Sequence, residues 1–276
     1  MSHVKSTLII PNYNGIKYME NCINALKKES STEYDICVVD NGSTDGSKEW
    51  IAQNCPQVRL IALPENTGFC GAVNAGILAC HTPYVILLNN DTEVEFGFVK
   101  ALEDAIEREE KCFSVSAKMV DLSDKSILDG AGDLYCALGW AFARGKGKKV
   151  QGNYEQRAEV FSACGGAVIY KKAVLDEIGI FDENHFAYLE DCDLGYRAQI
   201  YGYRNYYMGV VYRSKKRNSP NRETCMVEPC AKYTTLYTIS NTAPALGFSD
   251  FKKCLSMHVS RIGTFSTILR FQLTIY

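Results

Sequence analysis

Through its first 91 residues the chain repeats one pattern: a short apolar run, an abrupt polar tip, then helical periodicity. The runs are residues 6–11 (STLIIP), 35–40 (DICVVD), 58–63 (VRLIAL) and 84–88 (YVILL). Brief apolar runs bounded by turn residues are what strands buried on both faces look like. Between them, residues 16–30 place Met19, Cys22, Ile23 and Leu26 at a helical period. A second helical stretch carries Trp50 and Ile51, and a third covers 71–80. Strands alternating with helices at this spacing call for an α/β fold: a mostly parallel central sheet with helices on both faces.

Beside the C-terminal end of each run lies an amide or a carboxylate: Asn12, Asp40, Asn66 and Asp91. In open α/β sheets the ligand crevice lies beyond the carboxyl ends of the strands, so one crevice can collect all four. Singly, each is equally a turn residue, because Asn and Asp bond their own backbone. Gly68 and Gly71 would allow a ligand to approach the backbone closely. No G-x-G-x-x-G follows the first strand and no G-x-x-x-x-G-K-[ST] occurs, which argues against a dinucleotide fold and a P-loop. A metal-assisted nucleotide site is compatible, since carboxylate and phosphate oxygens suit a hard divalent ion. Asp40 or Asn41 could meet a base or a ribose.

A formal charge of -2 exerts no pull toward nucleic acid, so none is expected as a partner. Twelve cysteines are scattered without a C-x-x-C pair, and four histidines are too few for the usual zinc patterns. With no secretory leader pattern before Leu8, the economical expectation is a reducing cytoplasm with free thiols. No uninterrupted run approaches the roughly 20 apolar residues of a membrane span.

The second half differs. Residues 96–111 read as an amphipathic helix with Phe98, Val99, Leu102 and Ile106 inward, and from Val115 to Ala163 the pattern weakens. Residues 144–149 (RGKGKK) are basic and glycine-rich, the composition of a mobile loop. Gly165 and Gly166 interrupt a strand-like run and could let a substrate lie against the backbone. Glu190, Asp191 and Asp193 open a helix in which Asp193 and Arg197 can pair four residues apart. Glu190 and Asp191 then fall in the first turn, where unpaired N–H groups should keep them ionised. They serve there as plain capping residues or as a general base. Residues 206–212 form a strand that gives way to a basic loop at 213–217.

Taken together, these segments resemble the inverting glycosyltransferases of family 2, and within them the bacterial rhamnosyltransferase-like branch. The resemblance covers about Ser6 to Arg213. It rests on IPNYNG at 10–15, VVDNGSTDG at 38–46, NTGFCGAVNAG at 66–76, LLNNDT at 87–92, Gly165-Gly166, GIFDE at 179–183 and EDCDL at 190–194. It implies a GT-A (Rossmann-like) fold and transfer of a sugar from a nucleotide-diphosphate donor, UDP- or dTDP-linked, to a hydroxyl of a glycan or lipid-linked saccharide. By the same resemblance Pro11, Asn12 and Tyr13 begin the nucleotide pocket, Asp40 and Asn41 lie near base or ribose, and Asn66, Gly71 and Asn74 line the nucleotide. Asn90 and Asp91 belong to the metal triplet, with Asp91 holding Mg2+ or Mn2+. Gly165 and Gly166 wall the donor sugar, Asp191 is the catalytic base, and Glu190 places the acceptor. Two positions depart from the pattern. Asn89 stands where the triplet usually begins with Asp, and Arg213 stands where many relatives carry His.

The implied organisation is a GT-A catalytic domain over 1–222, with a nucleotide-binding half at 1–95 and an acceptor and catalytic half at 96–222. A C-terminal helical extension at 223–276 follows, expected to be cut short because it ends without a polar close. Residues 256–276 carry the spacing expected of an amphipathic helix, which would either pack on the domain or lie on a membrane surface. The expected location is cytoplasmic, at the inner face of the plasma membrane if the acceptor is lipid-linked, and a homodimer stays open. A sugar-nucleotide pyrophosphorylase would want cations after the first strand, where residues 12–15 hold NYNG. A non-catalytic nucleotide-sugar-binding module is the other alternative, and the pairing of Asp91 with Asp191 argues against it.

Overall fold

The computed structural model describes residues 4–136 and 140–215, with side chains as far as 209. The described residues of Met1–Tyr135 and Ala141–Met226 belong to one compact unit, the subject below. The expected extension at 223–276 lies outside the described residues.

The described chain begins with β1 (Ser6–Asn12), α1 (Ile16–Lys28), β2 (Asp35–Asn41), α2 (Ser47–Asn54), β3 (Arg59–Leu63), α3 (Gly68–Leu78) and β4 (Tyr84–Leu88). It continues with β5 (Thr92–Val94), α4 (Phe98–Glu107), β6 (Cys112–Asp121), β7 (Leu128–Gly130), β8 (Asp133–Tyr135), β9 (Ala141–Ala143) and β10 (Ala158–Val160). The last elements are β11 (Ala167–Lys171), α5 (Lys172–Ile178), α6 (Glu190–Ile200) and β12 (Arg204–Lys215). The main sheet runs β10-β12-β6-β11-β4-β1-β2-β3, with β5 on β12 and β7 on β6. Strands β4, β1, β2 and β3 are mutually parallel, as are β6 and β12. Strand β11 runs antiparallel between β4 and β6.

Helices cover both faces because the strands alternate within one apolar run. Leu8, Ile10, Ile86 and Leu88 face a core shared with α1, α2 and α4. Ile9, Val85 and Leu87 face another core, built with α3, α5 and α6. Each such side chain contributes about 1.5–3 kcal/mol on burial, so the sheet is held from both sides. This places the carboxyl ends of β1, β2 and β4 beside the start of β11.

Three sequence expectations need correction. The weak pattern after Val115 conceals β6, ten residues all buried. Residues 144–149 are not a mobile loop. Arg144 N–H donates to the Gly132 carbonyl and Gly147 N–H to that of Leu128, while Leu128 N–H donates to Lys148, so the backbone is tied to β7. The basic segment at 213–217 is strand as far as Lys215. A register shift after Met208 realigns β12, and Arg213–Lys215 then pair with Thr92–Val94 on one side and Met119–Asp121 on the other. Ladder bonds on both edges keep this backbone extended. Arg213 therefore pairs with Val94, in the strand that follows Asp91; Lys216 and Arg217 lie outside the described residues.

Candidate active site

Asn12 is the knot of the strand tips. Buried to 1 % exposure, it donates to Asp40 Oδ2 at 2.9 Å and to Ser47 Oγ at 3.0 Å, and its own carbonyl accepts from Asn90 Nδ2 at 2.8 Å. Asp40 uses its other oxygen to accept from Ser43 N–H at 3.0 Å, so both its oxygens are engaged by the protein. Gly15 lies against this pair: a Cβ there would sit 2.1 Å from Asn90 Nδ2 and 2.5 Å from Asn12 Oδ1. Asn41 in turn donates to Asn66 Oδ1 and to the Gly68 carbonyl, both at 2.9 Å, and accepts from Thr67 N–H. The tips of β1, β2 and β4 and the turn before α3 are thus one hydrogen-bonded frame. Pro11 and Tyr13 flank it, with Tyr13 exposed.

The glycines of α3 serve the protein's own packing. Gly68, at φ +79°, lies against the Phe186 carbonyl, which a Cβ would meet at 2.6 Å; at Gly71 a Cβ would strike Thr67 Oγ1 at 2.5 Å. Phe186 O also accepts from Phe69 N–H at 2.7 Å, covering the helix start. Asn74 is a clamp as well, donating to Phe181 O and Glu183 Oε1 at 2.9 Å and accepting from Phe181 N–H. The 181–186 segment thus lies against Gly68 and Asn74, and Thr67 against Gly71.

The two acidic positions are joined through Gly165 and Gly166. Asn89 N–H donates to the Gly166 carbonyl at 3.1 Å, and Gly165 N–H donates to Asp191 Oδ2 at 3.0 Å. Asp91 is half-buried, between the end of β4 and β5. Asn90 is turned toward Asn12, and Asn89 has its backbone tied to Gly166 and Thr92. Asp91 is the one carboxylate of the triplet. One carboxylate with diphosphate oxygens and water is a coordination that Mg2+ accepts. A second donor set meets nearby: oxygens of Asp133 and Asp191 and the Cys164 sulfur all lie within 4.8 Å of one another.

At the start of α6 the carboxyls are not simply ionised, contrary to the helix-terminus expectation. Glu190 is 8 % exposed; burial first, then the charge of Asp191, push its pKa up to about 8. Burial also raises Asp191, but Gly165 and Cys192 N–H groups each hold one of its oxygens and lower it. Desolvation outweighs the helix end here. The two carboxyls titrate as a coupled pair, with the backbone donors favouring ionisation at Asp191 and burial opposing it at both. Asp193 pairs with Arg197 at 2.9 Å, as the four-residue spacing predicts.

A folded-state pKa raised above 4.5 makes Glu190 a liability at high pH. Folding holds its proton through neutrality while the unfolded chain has released it, so stability falls as pH rises from near 4.5 through about 8. Urea denaturation at pH 5.5 and 8.5 should show a lower midpoint at the higher pH, and Glu190→Gln should flatten the difference. Equal midpoints in the wild type would reject the buried, protonated Glu190.

Asp133 is the site residue that sequence reasoning missed. It stands in a glycine-punctuated stretch with no periodic signal, and a backbone bridge to Ser162 fixes it near Asp191. Among the described residues, its Oδ2 and Glu190 Oε2 are buried without a hydrogen-bond partner. None of the nine described cysteines is in a disulfide, and no described helix is long and apolar enough to cross a membrane.

Comparison with known proteins gives a consistent result. The profile described as glycosyl transferase family 2 matches residues 7–179. N-acetylglucosaminyl-diphospho-decaprenol L-rhamnosyltransferase of Mycobacterium tuberculosis is 26% identical over 220 residues, 71% of each chain. The fold is similar to that of S. aureus TarS 1–349 in complex with UDP-GlcNAc, with a TM-score of 0.64 and 18% identity over 99% of this chain and 76% of that one. It is also similar to GalNAc-T7 with UDP, GalNAc and Mn2+, with a TM-score of 0.67 and 13% identity over 86% and 48% of the two chains.

Proposed function

The chain belongs to glycosyl transferase family 2, and we propose that it is an inverting enzyme of cell-surface polysaccharide synthesis. It moves a sugar from a UDP- or dTDP-linked donor to a hydroxyl of a glycan or lipid-linked saccharide. The observation that carries the reading is the placing of Asp191: at the head of α6 beside Glu190, it has one oxygen held by Gly165 N–H and the other by Cys192 N–H. A base raised by burial toward the working pH takes a proton more readily than an ordinary surface carboxylate. The relatives' printed names, a rhamnosyltransferase acting on a decaprenol-linked sugar and complexes with UDP and UDP-GlcNAc, support donor and acceptor classes.

In the proposed step Asp191 accepts the proton of the acceptor hydroxyl as its oxygen bonds to the anomeric carbon. The bond from that carbon to the diphosphate breaks on the opposite face, its electron pair leaves with the nucleotide, and configuration inverts. Glu190, and Arg213 in the strand beside β5, are assigned acceptor placement and diphosphate charge. The frame around Asn12, Asp40, Asn41 and Asn66 orients the nucleotide half, residues 1–95; residues 96–222 supply the acceptor half. Asp91 would hold Mg2+ or Mn2+, which when bound offsets charge on the departing diphosphate. The enzyme would work in the cytoplasm, at the membrane face where a lipid-linked acceptor is displayed.

A screen of nucleotide sugars with Mn2+, read by thermal shift and by release of nucleoside diphosphate, tests this. One donor should stabilise the protein in a metal-dependent way, and Asp91→Ala should weaken that binding at least about tenfold, roughly 1.4 kcal/mol. Unchanged metal-dependent affinity in the variant removes Asp91 from its role.

A further inference from the structure

We propose that Asp133 binds the acceptor, taking a second hydroxyl of a saccharide beside the one that Asp191 deprotonates. This rests on the glycosyltransferase reading above and narrows its acceptor to a polyol end, as opposed to a phosphate. The position of Asp133 is fixed by its backbone: its N–H donates to Ser162 O and its carbonyl accepts from Phe161 N–H, both at 2.9 Å. Gly132 before it, at φ +83°, packs so that a Cβ would meet Val160 at 2.8 Å. The side chain is thereby delivered to within 4.8 Å of Asp191 and Cys164, which are both part-exposed and so reachable from solvent.

The hydrogen-bond account of this corner does not close without a ligand. The Gly165 and Cys192 N–H groups both go to Asp191, while Asp133 Oδ2 and Glu190 Oε2 are buried with no partner. A buried polar atom left unsatisfied costs about 1–3 kcal/mol, and two flank the same carboxylate. Burial, with Asp191 and Glu190 nearby, also raises Asp133 well above the usual carboxyl range. In that state it offers one donor and one acceptor, the pattern that a sugar hydroxyl complements. An ionised phosphate would instead bring a second negative charge against Asp191 in a poorly solvated corner.

The test uses the full chain, the donor found by screening, and p-nitrophenyl glycosides with their monodeoxy analogues set against a polyprenyl phosphate. In Asp133→Leu the acceptor KM should rise about tenfold, several times more than the donor KM. The near-isosteric Asp133→Asn should sit between. A deoxy analogue lacking the contacted hydroxyl should lose its tenfold on the wild type and nothing further on Asp133→Leu. Acceptor KM unmoved in both variants, or losses that simply multiply, would overturn the assignment while donor turnover leaves the glycosyltransferase reading intact. Preferential transfer to the polyprenyl phosphate would overturn it too. So would Zn2+ stabilisation that is abolished in Asp133→Asn, since the trio with Cys164 would then be a metal site. If the wild type turned over no nucleotide sugar, both readings would fall together.

Discussion

Asp191→Asn is expected to lower sugar transfer about a thousandfold, within the 10²–10⁴ range of a lost general base, while donor binding stays within about twofold. The amide matches the carboxylate in shape and can still accept one of the two N–H groups that hold Asp191, from Gly165 or Cys192. It cannot take a proton. Its NH2 must face the other donor, so a small fall in melting temperature accompanies the loss without unfolding the site. The wild-type rate should rise with pH as the coupled carboxyls at 190 and 191 release their protons, because the base acts only when ionised. That rise should vanish in the residual rate of Asp191→Asn. In Glu190→Gln the rate should fall less, because an amide there keeps the neutral state that Glu190 already holds. A variant at 191 with more than a tenth of wild-type activity would move the base elsewhere, with Glu190 next in line.

What the sequence could show follows from which residues act locally. The apolar runs at 6–11 and 84–88 announce strands because Leu8, Ile9 and Ile10 serve two cores by alternation alone. Their polar tips announce a crevice because strand ends in a parallel sheet share one edge. Strand β6 stays hidden because Ser114, Ser116 and Lys118 interrupt its apolar run. Ser114 is made acceptable inside by donating to Asn205, 91 residues away, which no local pattern reveals. The same limit applies to the amides. Asn41 and Asn74 are amides whose sequence context does not show which protein groups they hold, since an amide that clamps a turn and one that reads a nucleotide are the same residue in a sequence. The structure supplies their protein partners, Asn66 and Gly68 for Asn41 and Phe181 for Asn74. The burial of Glu190 and Asp191 is hidden for a different reason. Position in a helix is legible, but the burial that overrides it is set by the hairpin and β11.

The largest stability effect should come from Arg197, which has no part in the chemistry. Its guanidinium lies 8 % exposed and donates to Asp193 Oδ2 and to the carbonyls of Ile178, Gly179 and Ile180, all at 2.8–2.9 Å. One side chain thereby locks α6 to the end of α5 and to the segment that Asn74 holds from the other side. Arg197→Met keeps most of the volume and removes every donor. Asp193 is left as a buried charge without its cation, and three carbonyls lose a partner. Removing one member of a buried pair costs about 3–5 kcal/mol, which at this chain length is a fall of about 10 °C in melting temperature. Arg197→Lys should recover only part, because an ammonium cannot reproduce the planar fork over three carbonyls. Adding Asp193→Asn to Arg197→Met should recover part as well, since the stranded charge is then gone. Because Asp191 sits in the first turn of the same helix, activity below the melting transition should also drop, with acceptor KM rising more than donor KM. A melting temperature within 2 °C of wild type, near the smallest shift expected for 1 kcal/mol, would show that α6 is held by its apolar contacts at Leu194 and Ala198 and not by this guanidinium.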